Sequence, residues 1–413
     1  MLYFMYETQK RVLAPFSETL RITTSWMEHL EKSAMSPVPK YIKASSELVN
    51  QFVKHYPKPN FNIKTIKASD DKTYSIVEET LVTKSFCDLK HFRKADCTLK
   101  QKPLLIVAPL SGHYATLLRD TVKSSLKDFD VYITDWANAS EIPVEKGQFG
   151  FEDYMEYCED FIIELKKKYG EIHLLAVCQP TVPVLGTIAY MEKHDPKNSP
   201  DSVVLMGGPI DTREAPTVVN EYAMRNDINW FKANVLDVVP FYLQGAGRIV
   251  YPGFLQHAGF LSMNLKKHKQ ASVDFFNHMI QGADLDAKKH KNFYDEYNAV
   301  LDLDAKFYIE TLENVFMDQK LAKGTLMYKN TVVSLSDIKN VRVLAVEGEL
   351  DDISGAGQTH CVIKLTENLT EDKKLAVVAE KVGHYGLFSG NRWRTENYPK
   401  MRNFIYENKY EIM

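Results

Sequence analysis

The chain has 413 residues, 45% of them hydrophobic, enough to bury a large core in two or three lobes. Its 51 basic and 54 acidic side chains leave a net charge of −3, which argues against a general nucleic-acid binder. No run of about 18 uninterrupted apolar residues occurs, so no transmembrane segment is predicted. The start, Met1-Leu-Tyr-Phe-Met-Tyr-Glu7, lacks the basic, apolar and small-residue parts of a secretory signal. Cysteines stand at 87, 97, 158, 178 and 361, an odd number without metal-type spacing, which suits a reducing compartment. The expectation is a cytoplasmic protein.

Residues 1–60 are expected to form an N-terminal helical extension. Leu13, Phe16, Leu20, Trp26, Met27 and Leu30 recur at roughly helical spacing, and Ser36-Pro-Val-Pro39 separates a second segment, Tyr41 to His55. The pair is expected to pack on the core, although the aromatic start (Tyr3, Phe4, Tyr6) also suits an apolar surface. From Ile63 to Lys94 the pattern turns to strands. Tyr74-Ser-Ile-Val77 and Thr80-Leu-Val-Thr83, separated by acids, are expected to be antiparallel leading strands, with Cys87 and Cys97 structural or merely exposed.

Strands then alternate with helices. Leu104 to Ala108, Asp130 to Thr134, Glu171 to Val177 and Asp201 to Met206 are apolar runs of buried-strand length. A helix over Phe151 to Lys168 lies between the second and third. The alternation predicts an α/β fold with a mostly parallel, doubly wound sheet and right-handed crossovers. It breaks over 212–337, a mostly helical stretch rich in aromatics and Met, too long for a loop. This insertion is expected to cap the site, most of its apolar residues forming its own core and the remainder lining an apolar channel. The expected domains are thus 1–60 (extension), 61–211 (core, first part), 212–337 (cap) and 338–413 (core, second part).

The chemistry concentrates on three positions. Cys178 stands where the third parallel strand meets a helix, with Pro180 suited to the helix's first turn. That corner is a nucleophile elbow of the G-x-S-x-G kind, with Cys for Ser and Ala176 and Pro180 in the glycine places. An inert buried Cys is the plain structural reading of the corner alone. Further on, Asn340 to Val346 reads as a strand leading to Asp351 and Asp352, and Leu375 to Ala379 leads to Gly383-His384. Nucleophile, acid and base in that chain order are what an elbow requires.

A free thiol titrates near 8.5, so Cys178 needs a helix N-terminus and a neighbouring base to act as a thiolate. His384 would move the proton, and Asp351 would hold its tautomer, with Asp352 an immediate rival. The backbone N–H of Gln179 and one from Ser111-Gly112-His113 would form the oxyanion hole, where one donor is worth on the order of 100- to 1000-fold in rate. His113 and Tyr114 are candidate substrate contacts. Asp135-Trp136 reads as structural, and His257, His268, His278 and His290 as packed or solvated. No metal cluster, P-loop or dinucleotide motif occurs, so no cofactor and no metal are expected.

At these residues the chain resembles a known family. Ala108-Pro-Leu-Ser-Gly-His-Tyr-Ala-Thr-Leu-Leu-Arg119, Ala176-Val-Cys-Gln-Pro180 and Val382-Gly-His-Tyr-Gly-Leu-Phe-Ser-Gly-Asn-Arg-Trp-Arg394 are similar to intracellular poly(3-hydroxybutyrate) depolymerases of storage granules. Tyr6 to Lys10 and Arg11 to Phe16 match too. The resemblance implies an α/β-hydrolase fold, a Cys178–His384–Asp351 triad and amorphous polyester as substrate, with 3-hydroxybutyrate oligomers and monomer as products. It also implies a granule-surface location; the balanced charge leaves no nucleic-acid partner expected, and a homo-oligomer is compatible with the sequence. Three other readings stand beside it: a polyester synthase-like acyltransferase, a non-catalytic granule-associated protein, and a hydrolase of small esters or thioesters.

Overall fold

Strand runs with no polar face need cover on both sides, and they decide the architecture. In the computed structural model, which describes residues 2–31, 38–54, 56–263 and 265–406, these runs form the middle of a nine-stranded sheet. Two helices come first, α1 (Leu2–Glu31) and α2 (Val38–Val53). Then follow β1 (Thr65–Lys67), β2 (Thr73–Thr83), β3 (Cys87–Lys94), β4 (Lys102–Val107), α3 (Arg119–Ser125), β5 (Phe129–Trp136), α4 (Phe151–Tyr169), β6 (His173–Val177), α5 (Thr181–His194) and β7 (Ser202–Met206).

The inserted lobe holds α6 (Val218–Arg225), α7 (Ile228–Asn234), β8 (Asp237–Val238), β9 (Ile249–Tyr251), α8 (Gly253–Met263), α9 (Leu265–Gln281), α10 (Asp284–Tyr297), β10 (Leu303–Asp304) and α11 (Ala305–Thr311). A π-helical turn (Leu312–Met317) and a hairpin of β11 (Leu326–Tyr328) and β12 (Thr331–Val333) lead back to the core. There β13 (Arg342–Gly348), α12 (Val362–Leu365), β14 (Lys374–Ala379), α13 (Gly390–Arg392) and α14 (Tyr398–Tyr406) complete the chain.

The sheet order is β1-β2-β3-β5-β4-β6-β7-β13-β14. Strands β1 to β3 are antiparallel to their neighbours, and β5, β4, β6, β7, β13 and β14 run parallel. This is an α/β-hydrolase fold. Strands β4, β6 and β7 are almost wholly buried, as both-face cover demands. The parallel strands all end on one edge, so the loops after β4, β6, β13 and β14 meet there.

Two expectations need correction. Tyr74 to Val77 and Thr80 to Thr83 are one strand, β2, whose partner is β3. The acids between them do not break it: Glu79 lies half exposed on the sheet surface and pairs with His91 at 3.0 Å and Arg93 at 3.5 Å. The register slips between Thr80 and Val82 instead, as a bulge.

The N-terminal helices rest mainly on the inserted lobe and touch the hydrolase core where Tyr3 packs on Ala139. They pack on each other and on the inserted lobe, α2 against α9 and α1 against β8. Tyr3 is buried with Val239 and Val250, its hydroxyl donating to Asp302 at 2.9 Å, and Tyr6 stacks on Phe254 at 4.1 Å. Lys54 pairs with Asp295, and Lys291 with Glu47 at 3.3 Å.

Helices make up most of the inserted stretch. It carries the small sheet β10-β9-β8, and its hairpin lies beside α5, with Tyr328 edge-on to Tyr190 at 4.8 Å.

Candidate active site

The chain leaves β6 at Val177 and turns sharply at Cys178, whose φ is +68°. A non-glycine residue holds such a φ only where its surroundings over-determine it. They do so here. The Cys178 N–H donates to the Met206 carbonyl at 2.7 Å, and the Cys178 carbonyl accepts from Thr181 N at 3.1 Å and Thr181 Oγ1 at 2.9 Å. A Cβ on Gly208 would lie 1.8 Å from Thr181 Oγ1, so the chain after β7 must be bare for α5 to start this close. Cys178 thus stands at the N-terminal end of α5, partly exposed.

His384 begins a short 3₁₀ turn after β14 and is 5% exposed. Its Nδ1–H donates to Asp351 Oδ2 at 2.8 Å. The other oxygen, Oδ1, accepts backbone N–H groups of Ile353 and Ser354, each at 2.9 Å. Asp352 points elsewhere, its carboxylate 3.9 Å from Lys267 Nζ on the lobe. The structure therefore brings Asp351, and not Asp352, to the imidazole. Burial alone would lower the His384 pKa, but the Cys178 and Asp351 charges, with hydrogen bonds to both, raise it well above the usual histidine value. Sulfur and carboxylate on either side thus both favour the protonated ring over the neutral one.

The amides near the sulfur divide into used and unused. Among the described residues, no acceptor takes the Gln179 N–H, while the Gln179 side-chain carbonyl accepts from Leu110 N at 3.3 Å. Ser111 and His113 border the same cavity as Cys178 and His384. Gly112 does not. Its carbonyl accepts from Leu301 N at 2.8 Å, and a Cβ there would meet Gln256 Cγ at 2.6 Å, so this glycine makes room for the lobe. Leu110 is not among the residues the sequence singles out. Its only signal is position, three residues after the end of β4 and facing the elbow.

His113 is buried, donates from Nε2 to the Tyr297 carbonyl at 3.0 Å, and stacks on Phe260 at 5.3 Å. Burial, then the nearby His257, lowers its pKa to about 4, so it is neutral. Tyr114 is buried but does not border the cavity. Asp135 pairs with Lys58 at 2.7 Å, and Trp136 Nε1 donates to the Ala108 carbonyl at 2.8 Å, both bracing the β5 end. His257 bonds Asn298 and His268 bonds Tyr294, and no cluster with metal-ligand geometry exists among the described residues. Burial pushes the Cys87 and Cys158 thiols up, and Cys361 to about 12, which separates them from Cys178 by environment.

Cys178 and His384 open onto a cavity of about 430 Å³ between core and lobe. Its walls are largely apolar, with Tyr222, Phe260, Met263, Phe307, Tyr308 and Phe316 from the lobe. Phe231 and Phe275 instead fill the lobe's interior, and Phe241 is 88% exposed. No helix among the described residues is long and apolar enough to cross a membrane.

Residues 207–409 match the family model described as PHB de-polymerase C-terminus. No curated protein matches the chain. Among solved structures, it is similar to a soluble variant of monoglyceride lipase from Saccharomyces cerevisiae, at 12% identity and TM-score 0.48, over 86% of this chain and 100% of that one. It is also similar to a 2-hydroxy-6-oxo-6-phenylhexa-2,4-dienoate hydrolase from Rhodococcus, at 13% identity and TM-score 0.46, over 80% and 99%. A monoacylglycerol lipase from Paleococcus ferrophilus matches at 14% identity and TM-score 0.43, over 74% and 95%. These three are likenesses only.

Proposed function

We propose, from the place of this chain in a PHB depolymerase-like α/β-hydrolase family and hence among the carboxylic ester hydrolases, that it cleaves stored amorphous poly(3-hydroxybutyrate) inside the cell. The observation that carries the reading is Cys178 at its left-handed elbow, facing an apolar cavity beside the His384–Asp351 pair. A water-insoluble, uncharged polyester needs such an apolar approach.

In this reading the Cys178 sulfur attacks the ester carbonyl and the carbonyl π electrons move onto oxygen. The Gln179 N–H, which no described residue occupies, stabilises that oxyanion, with a second amide from the 110–113 loop. His384 then gives its proton to the leaving alkoxide, and a thioester remains on Cys178. Water, deprotonated by His384, adds to the thioester carbon and the C–S bond breaks. Asp351 keeps Nδ1 of His384 protonated throughout, leaving Nε2 for the transfers. No cofactor enters these steps. The enzyme would work at the surface of a storage granule in the cytoplasm.

The test is turbidity of a suspension of native amorphous granules, with wild type beside Cys178→Ala. Clearing by wild type alone, with release of 3-hydroxybutyrate, is expected. Clearing by both would make Cys178 structural. Clearing by neither would point to polymer synthesis from a thioester, to a binding role, or to small soluble esters as substrates.

A further inference from the structure

A polyester chain has direction: one end is a hydroxyl, the other a carboxylate. Cutting any ester bond leaves the hydroxyl end on the acyl fragment, bound to sulfur, and the carboxylate end on the departing alcohol fragment. The cavity distinguishes these ends. Among the described residues, no Lys, Arg, Asp or Glu lines it; its polar groups are hydroxyls, amides and the two imidazoles of His113 and His384. The His113 Nε2–H is spent on the Tyr297 carbonyl, and His384 Nδ1–H on Asp351, with Nε2 turned to the reacting sulfur. With Cys178 ionised, thiolate, imidazolium and carboxylate together carry one net negative charge. A second carboxylate inside would be desolvated, unpaired and repelled.

At the mouth the character changes. Ser262 and Met263 border the cavity, and the helix that follows carries exposed Lys266, Lys267 and Lys269. Lys267 reaches across to Asp352, next to Ile353 on the opposite wall. Its 3.9 Å contact is long, and Lys267 is 79% exposed, so the ammonium is available to another anion.

We infer that the cavity takes the uncharged, hydroxyl-terminal side of a polyester as the acyl group, while the carboxylate-terminal side stays outside at the lysine-bearing rim. The inference rests on the ester-hydrolase reading above and assigns its substrate polarity.

The test compares three soluble esters on the full chain: p-nitrophenyl hexanoate, mono-p-nitrophenyl adipate, and the methyl ester of that adipate. The half-ester is expected to be at least about tenfold poorer in kcat/KM than its methyl ester, the charge being the difference between them. Equal values would overturn the inference. A second arm follows the free-acid hydroxybutyrate trimer and its methyl ester with Lys266→Gln/Lys267→Gln. A several-fold rise in KM for the free acid alone is expected, while equal changes for both would overturn the rim assignment. If p-nitrophenyl hexanoate itself is not hydrolysed, it is the ester-hydrolase reading that fails.

Discussion

Asp351 and His384 lie on loops after adjacent strands, β13 and β14, and meet at 2.8 Å through Oδ2 and Nδ1. The backbone amides of Ile353 and Ser354 hold the other carboxylate oxygen, so the acid cannot rotate away from the imidazole. Asp351→Asn puts a neutral amide opposite Nδ1 and is expected to lower kcat on the order of 10⁴-fold. Asp352→Asn, whose side chain faces Lys267, is expected to stay within about threefold of wild type on a neutral ester. A loss on Asp352→Asn equal to that on Asp351→Asn would refute the assignment.

Thiol environments predict a second result. Cys87 and Cys158 are buried with raised pKa values, and Cys361 is pushed up to about 12. Cys178 is partly exposed beside a histidine favouring its cation. Iodoacetamide at neutral pH is expected to label Cys178 ahead of these three, with activity lost in step. Peptide mass mapping reads the site. Labelling should fall in Cys178 when His384→Ala removes the cation.

The approach of β7 to α5 predicts a stability effect. Gly208→Ala forces a Cβ to 1.8 Å from Thr181 Oγ1, and is expected to cost about 1–3 kcal/mol and to distort the elbow. Gly259→Ala, with no atom within 4 Å of the new Cβ, is the control and should leave Tm within a degree or two. Calorimetry of the two variants separates them.

His113 predicts an acid limb. Its folded pKa of about 4 lies below an unfolded value near 6.5. Between these values the unfolded chain binds the extra proton, so stability is complete above about pH 6.5 and falls as pH drops toward 4. The loss is at most about 3 kcal/mol at pH 4. His113→Gln is expected to flatten this limb, read by urea unfolding at pH 7 and pH 5. It would not abolish it, because His173 and His290 are also lowered to about 4, each mainly by burial. His384 acts in the opposite sense: its contribution is present below about pH 6.5 and is lost as pH rises through its raised pKa.

How much of this was legible beforehand depends on the range of the forces involved. The strands β4 to β7 and β13 to β14 could be read within a few residues, because an unbroken aliphatic run has few alternatives to a doubly covered strand. The acids at Glu78 and Glu79 misled, since a sheet with one face in solvent tolerates charge in mid-strand. The docking of α1 and α2 was illegible for another reason. An amphipathic face records that it will be covered but not by which surface, and Tyr3 reaches Asp302 across nearly the whole chain.

By itself the sequence determined the chain order of Cys178, the Asp351-Asp352 pair and His384 and the strand after which each falls, because local pattern sets strand ends and chain order is given. Only the tertiary structure decided between Asp351 and Asp352. Neighbouring side chains on one loop point in different directions, and just one of them meets the imidazole. It also decided that Gly112 faces the lobe while Leu110 faces the elbow, since two residues of backbone rotation separate them and no composition records that angle. The uncharged cavity is tertiary as well. Its walls come from segments more than 250 residues apart, and their shared lack of charge exists only once they are folded together.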